Sequence, residues 1–285
     1  MIRSVTLEWR FGTLDLPADD QYIRQAIERT GEYSGAEIDL YESILRPGDV
    51  ALDVGANVGI FSIAIGCAVG PSGRVLAFEP QPPIFEILQR NLAANGLSQV
   101  EARRAIVAAA DGEGEFVDLH SLPAGRPFNF GGIDLSSRAF SAYGDTVATP
   151  MLRIDSLGLG RCDFIKVDVE GAEALVVAGA LGTIAACRPV LSVECDRPDQ
   201  MAIVVDALLS RGYRLWRFRG VNMRVPNPKG AQLDGVRPIS ILMLLAVPEE
   251  RLDRLDAVDR SALQGVGDRA AFELMSRGIV REEPA

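Results

Sequence analysis

The chain has 285 residues, of which 48% are apolar and 24% are charged. This places it in the ordinary globular range and makes it long enough to bury one large core, so one main domain with appendages is expected. Its 39 acidic and 29 basic residues give a net charge of -10, which would repel a polyanion, and nucleic acid is therefore not an expected partner.

Strand-like and helical patterns follow one another along most of the chain. Residues 1–48 are predicted to form an extension made of a hairpin and short helices. From Val50 onward, apolar strand-like runs alternate with helical patterns, which is typical of parallel strands covered by helices. The predicted strands are VALDVG, GRVLAFEP, QVEARRAIVAAA, CDFIKVDV, RPVLSVEC, YRLWRFR and SILMLLAV, and the predicted helices are GIFSIAIGCAV, IFEILQRNLAANG, 172–187 and 199–211.

Two segments depart from this alternation. Residues 49–248 form the predicted main domain, and within it 112–150 are rich in Gly, Pro, Ser and Asn, which indicates a long irregular insert. Residues 249–285 are predicted to be a tail of charged amphipathic helices. The tail or the N-terminal extension could form a homodimer contact or a lid, and periodicity does not separate these roles.

The cysteines and the apolar runs indicate where the chain resides. Its four cysteines are scattered singly, with no CxxC pair and no nearby histidine, so neither a disulfide framework nor a zinc site is expected. The start MIRSVTLEWRFG lacks a signal-peptide core, and the apolar run ILMLLAV at 241–247 is far too short to span a membrane. We therefore expect a soluble cytoplasmic protein without a membrane span.

The first predicted strand ends in a glycine corner, DVGANVG, that favours a ligand without phosphate. Gly55 and Gly59 allow a tight turn, but the middle position is Asn57, so the fuller GxGxxG pattern of a dinucleotide site is missing. Glu79 ends the second strand, near the spacing at which an acid meets the hydroxyl groups of a ribose. Asp53 is then placed to hold an ammonium group, directly or through water. A ribose and an ammonium group without phosphate describe S-adenosylmethionine. Alternatively, Asp53 caps the following helix and Glu79 is a solvated strand end.

A second informative stretch is FIKVDVEGAE, at 164–173. Lys166 and Asp168 lie two residues apart in an apolar strand and so share one face of the sheet. Buried charges need partners, so these two side chains either pair with each other or contact the ligand. In the functional interpretation, Asp168 accepts a hydroxyl proton from a methyl acceptor or orients it, and Lys166 lowers the pKa of that hydroxyl.

Two further assignments concern a base and a metal. His120, the only histidine, lies in the insert and could serve as a general base, although a lone loop histidine is more often simply solvated. Glu194, with Asp196 nearby, could join Asp168 in binding a divalent cation. No metal site is predicted, because the sequence fixes no such geometry.

These motifs together resemble the FkbM family of S-adenosylmethionine-dependent methyltransferases. The resemblance runs from about Gly31 to Val247, through PGDVALDVGANVGIFSI, VLAFEPQP, NLAANGL, TPMLRIDSL and DFIKVDVEGAE. It implies an α/β, Rossmann-like class I methyltransferase fold: a seven-stranded, mostly parallel sheet with the last strand antiparallel and helices on both faces. It implies cofactor contacts at Asp53, Gly55, Asn57, Gly59 and Glu79, with the backbone near Ala105 beside the adenine. FNFGGIDL loosely resembles the family's acceptor-side loop.

The leading hypothesis is a methyltransferase that acts on a hydroxyl group of a small molecule or glycan, such as a sugar, a polyketide or a related metabolite. S-adenosyl-L-methionine would be its cofactor and S-adenosyl-L-homocysteine its product. A nicotinamide-dependent oxidoreductase is one alternative, since an acid after the second strand also suits NAD. The other is a non-catalytic module that binds S-adenosylmethionine and regulates a partner.

Overall fold

The computed structural model describes residues 2–119, 145–269 and 272. The chain begins with an antiparallel hairpin of β1 (Ser4–Trp9) and β2 (Gly12–Pro17), followed by helices α1 (Ile23–Thr30) and α2 (Gly35–Ile44). In the described residues no helix combines the length and the apolar character that crossing a bilayer requires.

The central sheet is built from strand and helix units that alternate along the chain. It begins with β3 (Val50–Val54), α3 (Ile60–Val69), β4 (Arg74–Phe78), α4 (Pro82–Ala94) and β5 (Val100–Arg103). A separate three-stranded sheet follows, made of β6 (Ile106–Val107), β7 (Gly112–Val117) and β8 (Thr146–Leu152), so the first part of the predicted insert pairs with its last part. The chain then returns to the central sheet with β9 (Phe164–Val167), α5 (Glu173–Ala178), α6 (Leu181–Cys187), β10 (Val190–Glu194), α7 (Pro198–Leu209), β11 (Tyr213–Val221) and β12 (Ser240–Pro248).

The strand directions confirm the predicted α/β class. β5, β4, β3, β9 and β10 are neighbours in this order and run parallel, whereas β12 lies antiparallel between β10 and β11. Apolar side chains fill both faces of the sheet in two clusters. One cluster includes residues of α2, α3 and α4, and the other includes residues of α5, α6 and α7. Helices therefore cover both faces, as the sequence predicts.

The sheet has an eighth strand that the sequence does not predict. β13 (Leu263–Val266) lies antiparallel to the edge strand β11, in a segment predicted to be helical. Before it, the chain forms two short 3-10 helices, Glu249–Leu255 and Arg260–Ala262, rather than amphipathic α-helices. An edge strand presents unpaired backbone groups, and pairing them with β13 satisfies those groups better than a short isolated helix would.

Candidate active site

A cavity of about 430 Å³ opens at the carboxyl ends of the parallel strands, where α/β sheets of this kind bind ligands. The turns after β3, β4, β9 and β10 form one side of it. Side chains from the N-terminal extension and from β12 form the other side. Five carboxylate side chains lie among the described residues that line it, and no lysine, arginine or histidine does; the five are Glu37, Glu79, Asp168, Glu170 and Glu194.

The turn after β3 lines the cavity with Gly55 and Asn57, both with positive φ, of 87° and 49°. Gly55 is required here for a reason other than ligand approach. A Cβ built at this position would lie 1.8 Å from the carbonyl oxygen of Asp168. The glycine therefore allows the turn after β9 to pack directly against the turn after β3.

Gly59, the third corner residue, lies behind the cavity rather than on its wall. It precedes the first residue of α3 with a φ of 99°, and a Cβ there would lie 2.8 Å from Leu88. Its position supports the helix start and the packing of α3 against α4. Gly59 was predicted to contact the cofactor, but it is not one of the residues that line the cavity.

Glu79 lines the cavity and connects two of its turns. Its carboxylate accepts the backbone N–H of Asn57 at 2.9 Å and that of Gln81 at 2.8 Å. Burial raises the pKa of Glu79 to about 7, and the two backbone hydrogen bonds only partly oppose that effect. The two hydrogen bonds thus hold the side chain in one orientation.

Asp53 and Lys166 form a buried polar row across the sheet. Asp53 in β3 is paired in register with Lys166 in β9, which is paired with Ser192 in β10. Neither Asp53 nor Lys166 is exposed or lines the cavity. Lys166 Nζ lies 3.8 Å from Asp53 Oδ1, 3.0 Å from Asp168 Oδ2, and 4.4 Å from the centre of the Phe61 ring.

The charges in this row explain how Lys166 is tolerated. Burial alone would lower the pKa of Lys166, but the carboxylates of Asp168, Asp53 and Glu37 outweigh it and raise that pKa. Lys166 is therefore charged, and its ion pair holds the Asp168 carboxylate in position. Asp53 accepts the Ser62 hydroxyl at 2.6 Å, and burial raises its pKa. Its side chain faces this network and is not among the groups that line the cavity.

Of the other predicted site residues, Asp168 lies on the cavity wall with about 31% of its side chain exposed. Ala105 is buried in the apolar cluster beneath the sheet and is not among the cavity-lining residues. His120 lies outside the described residues.

The sequence reasoning missed the contribution of the N-terminal extension. Tyr33, Ser34 and Glu37 line the cavity, and Glu37 is only 2% exposed. Glu37 accepts the Tyr41 hydroxyl at 2.5 Å, and burial raises its pKa to about 7. A signal was present, because Glu37 and Tyr41 are four residues apart, on the face of α2 that buries its apolar side chains.

The acidic end of the cavity lies where β9 and β10 give way to their loops. One carboxylate oxygen from each of Asp168, Glu170 and Glu194 can be chosen so that all three lie within 4.8 Å of one another. Burial and the nearby Asp168 charge raise the pKa of Glu170 to about 7 and also raise that of Glu194 well above its usual range. Glu170 also pairs with Arg197 at 3.3 Å and has a φ of 52°. Asp196, which follows Glu194 closely in the sequence, is not part of this group.

The amino-acid sequence is similar to those of known methyltransferases. A family model described as the methyltransferase FkbM domain matches residues 53–215, more than half of the chain. Methyltransferase sdnD of Sordaria araneosa is 29% identical over 195 residues, which cover 59% of this chain and 74% of that protein. The 31-O-demethyl-FK506 methyltransferase FkbM of Streptomyces tacrolimicus is 29% identical over 161 residues, or 47% of this chain and 60% of that protein.

A solved structure also matches this chain. The crystal structure of methyltransferase FkbM from Methylobacillus flagellatus KT has a TM-score of 0.44 and 16% identity, covering 73% of this chain and 50% of that one. The matched segment 53–215 begins at the glycine corner and contains Glu79, Asp168 and Glu194. The chain belongs to the FkbM family of S-adenosylmethionine-dependent methyltransferases.

Proposed function

We propose that the protein transfers the methyl group of S-adenosylmethionine to a hydroxyl oxygen of a small molecule or glycan. The observation that carries the proposal is the charge of the cavity. Its described lining contains five carboxylates and no basic side chain. When these carboxyls are ionised, such a wall attracts a sulfonium and an ammonium group and repels phosphate. This charge also disfavours the alternative of a nicotinamide dinucleotide, whose pyrophosphate carries negative charge.

The residues present fit the cofactor. Glu79 would accept hydrogen bonds from the ribose hydroxyl groups, and the turn carrying Gly55 and Asn57 would hold the amino-acid part. Each Glu79 oxygen already accepts one backbone N–H and keeps a further lone pair for a ligand. Asp53 would act indirectly, by fixing Ser62 and Lys166 beneath this turn.

The bound cofactor supplies an activated methyl group: a bond forms from the acceptor oxygen to the methyl carbon, the carbon–sulfur bond breaks with its electron pair left on sulfur, and the hydroxyl proton leaves. The task of the chain is to align the acceptor oxygen and to receive that proton. Asp168 would align the acceptor oxygen, since it lines the cavity and its carboxylate is held by the ion pair with Lys166. Lys166 is a positioning residue in this scheme.

The proton acceptor is proposed from three candidates. Asp168 and His120 are the bases that the sequence suggests. Glu37 is the candidate that the geometry adds, because it lines the cavity and its pKa of about 7 suits proton transfer near neutral pH. The oxygen acceptor is also supported by the name of the relative from Streptomyces tacrolimicus, a 31-O-demethyl-FK506 methyltransferase.

The test combines binding and turnover. We expect calorimetry to detect S-adenosylhomocysteine binding and no NADH binding. With S-adenosylmethionine carrying a deuterated methyl group, we expect mass spectrometry to find the label on oxygen when hydroxyl-bearing sugars and polyketides are supplied as acceptors. Asp168→Asn should reduce the rate far more than Glu86→Gln, a matched loss of charge at an exposed position of α4. Label on nitrogen or carbon alone, or cofactor binding without turnover on any acceptor, would contradict the proposal.

A further inference from the structure

The acidic end of the cavity holds three carboxyl groups but only two described basic partners. Asp168 pairs with Lys166 at 3.0 Å, and Glu170 pairs with Arg197 at 3.3 Å. The third member, Glu194, lies at the end of β10 and has no ion pair among the described residues.

Glu194 provides independent evidence that this group binds a ligand. Its Oε2 atom is buried from solvent and accepts no hydrogen bond from the described residues. A buried carboxylate oxygen without a partner is costly, and such an atom in a native protein usually faces a ligand, an ion or an ordered water. Glu194 also lines the cavity and lies within the 4.8 Å group formed with Asp168 and Glu170.

We propose that Asp168, Glu170 and Glu194 bind a divalent metal ion, of the Mg²⁺ or Mn²⁺ type, at the acceptor end of the cavity. Carboxylate oxygens are the ligands these hard cations prefer, and Mg²⁺–oxygen distances of about 2.0–2.1 Å bring ligand oxygens to within roughly 4.2 Å of each other. The three observed oxygens lie within 4.8 Å of one another, so small side-chain movements would bring them onto one ion. A doubly charged ion also offsets three neighbouring carboxylates better than a single ammonium group does.

The ion would give the acceptor a second point of attachment. Because all three residues line the cavity, an acceptor hydroxyl there could bind the ion and would then lose its proton more easily. This catalytic consequence rests on the proposed function. Metal binding itself does not, because it can be measured with neither cofactor nor acceptor present.

The experiment is a Mn²⁺ titration of the full chain, with free Mn²⁺ measured by electron paramagnetic resonance. We expect saturable binding of one ion that Mg²⁺ displaces. Glu194→Gln and Glu170→Gln should each weaken the binding at least about tenfold, since even loss of an outer-shell partner costs a metal site that much. Glu86→Gln, the exposed control, should bind Mn²⁺ as the unsubstituted protein does.

Thermal melting and S-adenosylhomocysteine affinity of each variant show whether the chain is folded and its cofactor half intact. Absence of Mn²⁺ binding at millimolar concentration would overturn the metal proposal. Equal affinity in the unsubstituted protein and in both folded variants would overturn it too. Either result would leave the methyl-transfer proposal standing, whereas failure to bind S-adenosylhomocysteine would count against that proposal alone.

Discussion

The substitution Glu79→Gln directly tests the proposed hydrogen bonds between Glu79 and the ribose of the cofactor. The carboxylate lies on the cavity wall at 5% exposure and accepts one backbone N–H at each oxygen. Glutamine preserves the shape of the side chain. It removes the charge and replaces one acceptor oxygen with an amide nitrogen that must face the N–H of Asn57 or Gln81.

The magnitude follows from those contacts. A hydrogen bond to a charged group contributes about 1.5–3 kcal/mol, so losing the ionised acceptor for the ribose should weaken S-adenosylhomocysteine binding roughly 10- to 150-fold. The pKa of about 7 adds a pH dependence. Only about a tenth of Glu79 is ionised at pH 6 and about nine tenths at pH 8, so the affinity of the unsubstituted protein should rise roughly tenfold over that interval.

The assay is calorimetric titration with S-adenosylhomocysteine at pH 6 and pH 8, with Glu86→Gln as the control for loss of one negative charge. We expect the Glu79→Gln substitution to matter most at pH 8, where the natural side chain is ionised. If the Glu79→Gln variant binds within twofold of the unsubstituted protein at pH 8, the ribose assignment is wrong. An affinity independent of pH in the unsubstituted protein would contradict the ionisation argument.

Three further predictions concern stability, measured by urea unfolding. Gly55→Ala should destabilise the fold by at least about 2 kcal/mol more than Gly96→Ala, since both glycines have positive φ but only at Gly55 would a Cβ collide with Asp168; equal losses would refute the packing argument. Lys166→Met should cost about 3–5 kcal/mol by leaving Asp53 without its cation, and a loss below about 1 kcal/mol would contradict a buried ion pair. The free energy of unfolding should fall as pH rises from about 4.5 to 7. Over this range three carboxyls keep their protons in the folded state and release them in the unfolded state, namely Glu37, Glu79 and Glu170. A free energy of unfolding that does not change with pH would contradict this.

Much of the fold and part of the site follow from local patterns. Apolar runs that alternate with helical periodicity specify parallel strands and their covering helices. Residues at the ends of such strands must meet at one edge of the sheet. Gly55, Asn57, Glu79 and Asp168 could therefore be assigned to one cavity in advance, and the structure places all four on its wall.

The sequence could not reveal which buried polar groups face the ligand. Asp53 and Lys166 lie beside cavity residues in the chain, yet cross-strand register turns them toward each other and away from the cavity. Register depends on how two distant strands pair, and one strand's own pattern does not specify its partner. For the same reason β13 escaped prediction, since its four residues are a strand only because the edge of β11 is available.

Sequence alone determined the corner that bends after the first parallel strand and the acid that ends the second, because both depend on residue types at fixed local spacing. Tertiary structure decided that Glu37 of the N-terminal extension joins the cavity and that Glu194 meets Asp168 and Glu170 there. These residues lie far apart along the chain, and only packing of the extension and the strands against each other brings their charges into one place.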